Sequence, residues 1–167
     1  MSVSFTIEAA TTADVPAIAA ILNDAIANSV AAWREAPMTD DEMSNWFEGR
    51  ANDFAVLVAR GADGAVLGYA SYGAFRAYSG YRHTVEHSVY VDGLARGQGI
   101  GTALLARLTE RARAQGFHVM IGALEAGNAA SLVLHAGQGF FETARMPEVG
   151  RKFERWLTLV FVQKTLS

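Results

Sequence analysis

Arg96-Gly97-Gln98-Gly99-Ile100-Gly101 stands between the strand-like run Thr84 to Val91 and the helix-like run Thr102 to Ala114. That order leaves a row of backbone N–H groups without intrahelical partners at a helix start, where the peptide dipoles also place partial positive charge. A pyrophosphate satisfies both. Glycine at 97, 99 and 101 lets the anion approach the main chain and admits positive φ, and Arg96 adds a cation at the rim. A plain structural turn is the alternative reading of this stretch. The second candidate is Glu86, a carboxylate in mid-strand among apolar neighbours. Burial there raises its pKa and makes it a competent base; an ion pair with Arg82 or His83 is the alternative.

Two familiar phosphate motifs do not fit. No Gly-Lys-Ser/Thr ending is present, which argues against nucleoside triphosphate hydrolysis. Counting from Gly99, Leu104 occupies the place of the third glycine of a dinucleotide fingerprint, and the motif lies in mid-chain.

The elements that must position these residues follow from periodicity. Phe5 to Ala9 reads as a strand, and Thr11 to Asp14 caps a helix with apolar residues at Val15, Ile18, Ala19, Leu22 and Ile26. Thr39 to Glu42 caps a second helix that runs to about Arg50. Phe54 to Arg60 and Val66 to Phe75 are strands joined at Gly61 to Gly64, and a loop spans Arg76 to Arg82. Thr84 to Val91 forms the central strand, followed by the helix Thr102 to Gln115 and the strand His118 to Leu124. Asn128 caps a short helix to Ala136, and Phe140 to Met146 and Trp156 to Lys164 close the series as strands. With 167 residues, 51% hydrophobic content and 3 prolines, residues 1–167 are expected to form a single mixed α/β domain.

Composition narrows the partners. A net charge of −3 argues against nucleic acid and favours a small-molecule or peptide substrate. No apolar run of membrane length and no basic-apolar leader is visible, so no membrane association and a cytoplasmic address are expected. The absence of cysteine excludes disulfides and thiolate chemistry. His87 and His118 lack partners at metal-ligand spacing, so no metal is expected.

The pattern Arg/Gln-x-x-Gly-x-Gly/Ala after a strand, met by Arg96 to Gly101, resembles the coenzyme A pyrophosphate loop of the GNAT N-acetyltransferase superfamily. Several longer runs are similar to the phosphinothricin and methionine sulfoximine N-acetyltransferases within it. They are Tyr69 to Gly73, Thr84-Val85-Glu86-His87-Ser88-Val89-Tyr90-Val91, Arg111 to Gly116, Glu125 to Ser131 and Val149 to Phe153. The resemblance implies a mixed, mostly antiparallel sheet of six or seven strands flanked by about four helices. It also implies acetyl-CoA as co-substrate, a small amino-acid analogue as acceptor, and a homodimer formed through the final strands and Pro147 to Arg155.

The resemblance further implies roles for particular residues. An ammonium must lose a proton before it attacks a thioester, and Glu86 matches the glutamate held to be the family's base. His135 matches the position from which the departing thiolate is protonated, as acid or alternatively as base; a helix-end histidine satisfied by a carbonyl is the bland reading. The main chain at Val89, Tyr90 and Val91 is expected to pair with the pantetheine amides, and Asn128 to contact the cofactor arm. Arg96, Gly97, Gln98, Gly99, Ile100, Gly101 and Thr102 would hold the diphosphate. Arg76, Arg82 and Lys152 are candidate clamps for the acceptor carboxylate, with Trp33, Phe75, Tyr78, Tyr81 and Tyr90 as walls. Two departures stand out. Ser29 to Trp33 lacks the family's threonines, which leaves room for a more apolar acceptor, and Ala136-Gly137 predicts a weakly held helix end. Peptide N-terminal acetylation and a non-catalytic coenzyme A sensor are the competing functions.

Overall fold

A computed structural model describes residues 4–167. Seven strands form one sheet: β1 (Phe5–Ala9), β2 (Ala55–Gly61), β3 (Val66–Ala74), β4 (Thr84–Val91), β5 (Val119–Glu125), β6 (Phe141–Lys152) and β7 (Arg155–Thr165), in spatial order β1-β2-β3-β4-β5-β7-β6. Every neighbouring pair is antiparallel except β4 and β5. The helices are α1 (Val15–Asn28), α2 (Asp40–Ala51), α3 (Ile100–Ala114) and α4 (Ala129–Gly137).

Each sheet face buries a different apolar stripe. Ile18, Ala19 and Val15 of α1 and Met43 and Phe47 of α2 cover Val56, Val58 and Tyr69 on one face. Ile100, Leu104, Leu105, Leu108 and Ala112 of α3 cover Leu57, Tyr72, Val85 and Met120 on the other, with Leu132 and Leu134 of α4 packed beside them. Spacings of three and four residues make those stripes, as the sequence predicts. The α2 start is a capping box: the Thr39 hydroxyl accepts from the Glu42 N–H, and the Glu42 carboxylate accepts from the Thr39 N–H.

The parallel pair sets the site. Its register runs from Thr84 opposite Val119 to His87 opposite Gly122 and stops there, while β4 continues to Val91 and β5 to Glu125. The strands therefore fork. Beyond the fork β4 is paired only with β3, so its opposite edge lies open from Ser88 onward. Alternation along β4 sends Glu86, Ser88 and Tyr90 to the α1/α2 face and Val85, His87, Val89 and Val91 to the α3/α4 face.

Two local features depart from expectation. Helix α3 begins at Ile100, two residues ahead of the predicted start, because Gly99 takes φ 80° and serves as its N-cap. β6 extends to Lys152 and meets β7 at a tight turn in which Phe153 and Glu154 both have positive φ, 50° and 60°. No glycine or asparagine marks that turn, so its sequence signal is missing.

Candidate active site

The α3/α4 side of the fork is made mostly of backbone. Gly97 and Gly99 have φ of 74° and 80°, and a Cβ at either would meet nothing within 4 Å, so conformation rather than space requires glycine there. Gly101 answers a different need. A Cβ there would lie 3.0 Å from Leu134 Cδ1, so its absence lets α4 close onto the start of α3. No acidic residue occupies the first turn of α3, which keeps the helix end attractive to an anion. Arg96 is exposed and donates from Nε to the Val91 carbonyl at 3.3 Å, and Thr102 is exposed on the first turn. Gln98 keeps a buried Oε1 without a partner, whereas the Ile100 side chain belongs to the core. Val89 and Val91 pack their side chains against the α3 core, so only their main chain is free to pair. Asn128 caps α4 by accepting from the Ser131 N–H at 3.1 Å.

His135 is buried, and α4 is closed behind it. Its carbonyl accepts from the N–H groups of Gln138 and Phe140, both at 3.0 Å, and Gly139 turns the chain at φ 83°. Gly137 is the last helical residue, so the helix end is well held, contrary to expectation. The imidazole does not stand alone. Its Nε2 lies 2.8 Å from Nε2 of His87, and its Nδ1 lies 2.7 Å from the Ser131 carbonyl. Burial holds both rings below the ordinary histidine pKa. His87 was legible only as a strand residue, because a partner 48 positions away leaves no spacing signal.

The other side of the fork faces α1 and α2. Glu86 is half-buried, and desolvation raises its carboxyl above the ordinary range while the Arg76 charge opposes the shift. It forms no ion pair with Arg82, whose guanidinium donates to the Ser79 carbonyl at 3.2 Å. Phe75 packs edge-on against Tyr81 and Phe161, with ring centroids 5.8 and 6.3 Å apart, and Arg76 lies over the Phe75 ring. Arg76, Tyr78 and Arg82 line a cleft of about 250 Å³ with Phe54, Ser79 and Thr84. Tyr78 is exposed, and Tyr90 is stacked on Tyr69 within the α1/α2 core, so Tyr90 serves chiefly as packing.

One arginine escaped sequence reasoning. Arg50 of α2 lays its guanidinium over Gly73, where a Cβ would sit 3.4 Å from Nη2, and Gly73 is the residue opposite Glu86 on β3. Its Nε is buried with no partner. The sequence offered it only as the last residue of a helix.

Lys152 is a correction. As a candidate clamp it would need a free ammonium, but the side chain is buried and its Nζ donates to the carbonyls of Ile26, Ser29 and Ala32, the last two at 2.8 and 2.6 Å. Those carbonyls close the end of α1 and the loop after it, so Lys152 pins the β6–β7 hairpin there. Trp33 is set by the same contact. Its Nε1 donates to the Val30 carbonyl, and its ring lies so close to Gly150 that a Cβ there would be 2.3 Å away.

With this geometry in place, comparison with known proteins is direct. Residues 18–140 match the model of the acetyltransferase (GNAT) family. The L-methionine sulfoximine/L-methionine sulfone acetyltransferase of Pseudomonas aeruginosa is 52% identical over 98% of this chain and 96% of its own length. The phosphinothricin N-acetyltransferase of Alcaligenes faecalis is 38% identical over 92% of this chain and 79% of its own. Among solved structures, a Salmonella typhimurium protein with its cofactor acetyl-CoA superposes at TM-score 0.94, with 45% identity over 98% of this chain and 94% of that one. A Brucella melitensis protein named ribosomal-protein-alanine N-acetyltransferase superposes at 0.93, with 52% identity over 96% and 99%. The chain belongs to the GNAT acetyltransferase family. It is an acetyltransferase of mixed α/β fold, and its full-length relatives include enzymes named for methionine sulfoximine and phosphinothricin.

Proposed function

We propose that this enzyme transfers the acetyl group of acetyl-CoA to the amino group of a small amino-acid analogue of the methionine sulfoximine type. The observation that carries this reading is the fork. It offers an open main-chain edge on β4 for an extended amide-bearing arm, and beside it a half-buried carboxylate turned to the other side of the sheet. In this reading the glycine turn holds the diphosphate, Val89 to Val91 pair with the arm, and the thioester reaches the fork. Coenzyme A supplies the activated acyl group and a good leaving thiolate.

Glu86, its pKa raised, takes a proton from the acceptor ammonium, directly or through a water. The free amine attacks the acyl carbon, the thiolate leaves, and a second amine proton goes to sulfur by way of His135. The acceptor carboxylate is held by Arg50 and Arg76, the two guanidinium groups associated with Glu86 and its cross-strand partner. A thiol-release assay with acetyl-CoA and a panel of amino acids and analogues tests the proposal. Turnover with methionine sulfoximine or its sulfone, lowered about 10² to 10³-fold by E86Q with donor affinity retained, is the expected result. Donor binding without turnover would leave a coenzyme A sensor.

Peptide N-terminal acetylation is a second reading, favoured by the name of the Brucella protein. Acetylation of alanine-starting peptides in preference to free amino acids would establish it. We also propose a homodimer. β6 is an edge strand, and Phe141, Met146, Val149, Phe153 and Trp156 on the β6–β7 hairpin are exposed apolar residues. Light scattering on the eluting protein measures the state directly.

A further inference from the structure

The run Tyr69 to Gly73 has one face that the proposed reaction leaves unused. Alternation along β3 turns Ala70 and Tyr72 into the α3 core and sends Tyr69, Ser71 and Gly73 to the α1/α2 face. The register sets each of these three opposite a residue of β4 on the same face: Tyr69 opposite Tyr90, Ser71 opposite Ser88, and Gly73 opposite Glu86. A polar ladder therefore interrupts the apolar packing under α1 and α2. It ends at the proposed base.

The two tyrosines of the run differ in how their hydroxyls are satisfied. Tyr72 is buried, and its hydroxyl donates to Gln115 Oε1. Tyr69 is 1% exposed and Ser71 2%, yet among the described residues neither side chain enters a hydrogen bond. Buried hydroxyls are nearly always paired, so two unpaired ones, adjacent on one face, await a group from outside the chain. A third donor stands beside them. Gly73 seats the guanidinium of Arg50, since a Cβ there would lie 3.4 Å from Nη2 and 3.5 Å from Nε, and that Nε is buried with no partner. The Arg50 charge bears on the Tyr69 hydroxyl, opposing the rise that burial gives its pKa, so guanidinium and phenol are neighbours.

The arrangement is held from behind. Trp46 meets the Tyr69 ring edge-on at 5.9 Å, Tyr90 stacks on it at 5.5 Å, and Arg50 Cζ lies 5.0 Å from the centroid of the Trp46 ring. The open approach is from β4, where Ser88 is exposed and Glu86 half-buried.

We propose that Tyr69, Ser71 and the Nε–H of Arg50 form a specificity subsite that receives the oxygen atoms at the far end of the acceptor's side chain. The inference rests on the proposed function, which sets the acceptor's amino group at Glu86. Same-face residues of a strand stand about 7 Å apart, so Ser71 is one step from the Gly73–Glu86 rung, a span that a methionine-sized side chain covers. All three groups donate, which suits an end rich in lone pairs: a sulfone, a sulfoximine or a phosphinate. A thioether or hydrocarbon end leaves the buried donors unfilled, and that loss is what rejects it. Five N–H groups let Arg50 meet the acceptor carboxylate through its outer nitrogens and this end through Nε.

The test measures kcat/KM for methionine, methionine sulfoxide and methionine sulfone in the parent enzyme and in Y69F, S71A and the double variant. These acceptors share one carbon skeleton and differ only in the oxygens on sulfur. In the parent, kcat/KM should rise along the series, by about tenfold or more from thioether to sulfone. Y69F and S71A should each lower the sulfone value by about three- to tenfold, with the methionine value and the acetyl-CoA KM held within about twofold. The double variant should bring sulfone and thioether together. Equal parent values for the three acceptors would overturn the inference with no variant needed, and would leave the proposed function standing. So would a parental sulfone-to-methionine ratio in the double variant, the outcome if ordered water fills the ladder, or an equal loss for every acceptor, the mark of a packing role. An enzyme that acetylates none of the three and no other free amino acid refutes the proposed function, and this inference falls with it.

Discussion

The two faces of the forked strand are built from different material. The α3/α4 side presents main chain: positive-φ glycines, a helix start and an unpaired strand edge. The α1/α2 side presents side chains from separate elements, Glu86 on β4 and Arg50 on α2, with Arg76 beside Glu86. Backbone recognition tolerates changes in side chain, whereas a pocket of side chains changes specificity with each substitution.

Substitutions confined to one face should therefore separate the two KM values. The largest effect belongs to E86Q, expected to lower kcat by about 10² to 10³-fold, the range of a lost general base, without changing the acetyl-CoA KM. Its pH dependence sharpens the point. Glu86 must be ionised to accept a proton and its pKa is raised, so the acid limb of kcat/KM should fall above the ordinary carboxylate range and vanish in the variant. Next, R50M should raise the acceptor KM by about 10 to 100-fold, corresponding to about 1.5–3 kcal/mol for a charge-assisted hydrogen bond, while the donor KM stays put. An unchanged acceptor KM would remove Arg50 from the pocket.

G99A is the mirror experiment. Forcing a Cβ into φ 80° costs about 1 kcal/mol and disturbs the helix start, so the acetyl-CoA KM should rise severalfold and the acceptor KM should not. K152M tests the hairpin anchor rather than either ligand. Loss of an ammonium bound to three carbonyls should lower unfolding free energy by about 2–3 kcal/mol in denaturant titration, with a smaller effect on acceptor KM than R50M has. The smallest effect is a gain: E154G relieves a positive-φ residue in the hairpin turn and should add about 0.5–1 kcal/mol, seen as a raised melting temperature.

How much was legible depends on how locally each feature is encoded. The order of strands and helices, the glycine turn and the half-buried glutamate all lie within short windows. The β6–β7 turn was not, because Phe153 and Glu154 carry no turn chemistry; Lys152 upstream and the paired strands hold them in place. Lys152 was misread for a related reason. An isolated lysine gives no sign that three carbonyls at the end of α1 and in the loop after it await it.

Periodicity and glycine placement by themselves determined the alternation of elements, the anion-ready start of α3 and a carboxylate in mid-strand, since each depends on dihedral preferences and spacing within a dozen residues or so. The tertiary structure alone decided that β4 and β5 part after His87 and Gly122, that Arg50 lies over Gly73, and that His87 meets His135. Those outcomes depend on register and on packing between residues tens of positions apart, where nothing in the local chain records the distance between two side chains.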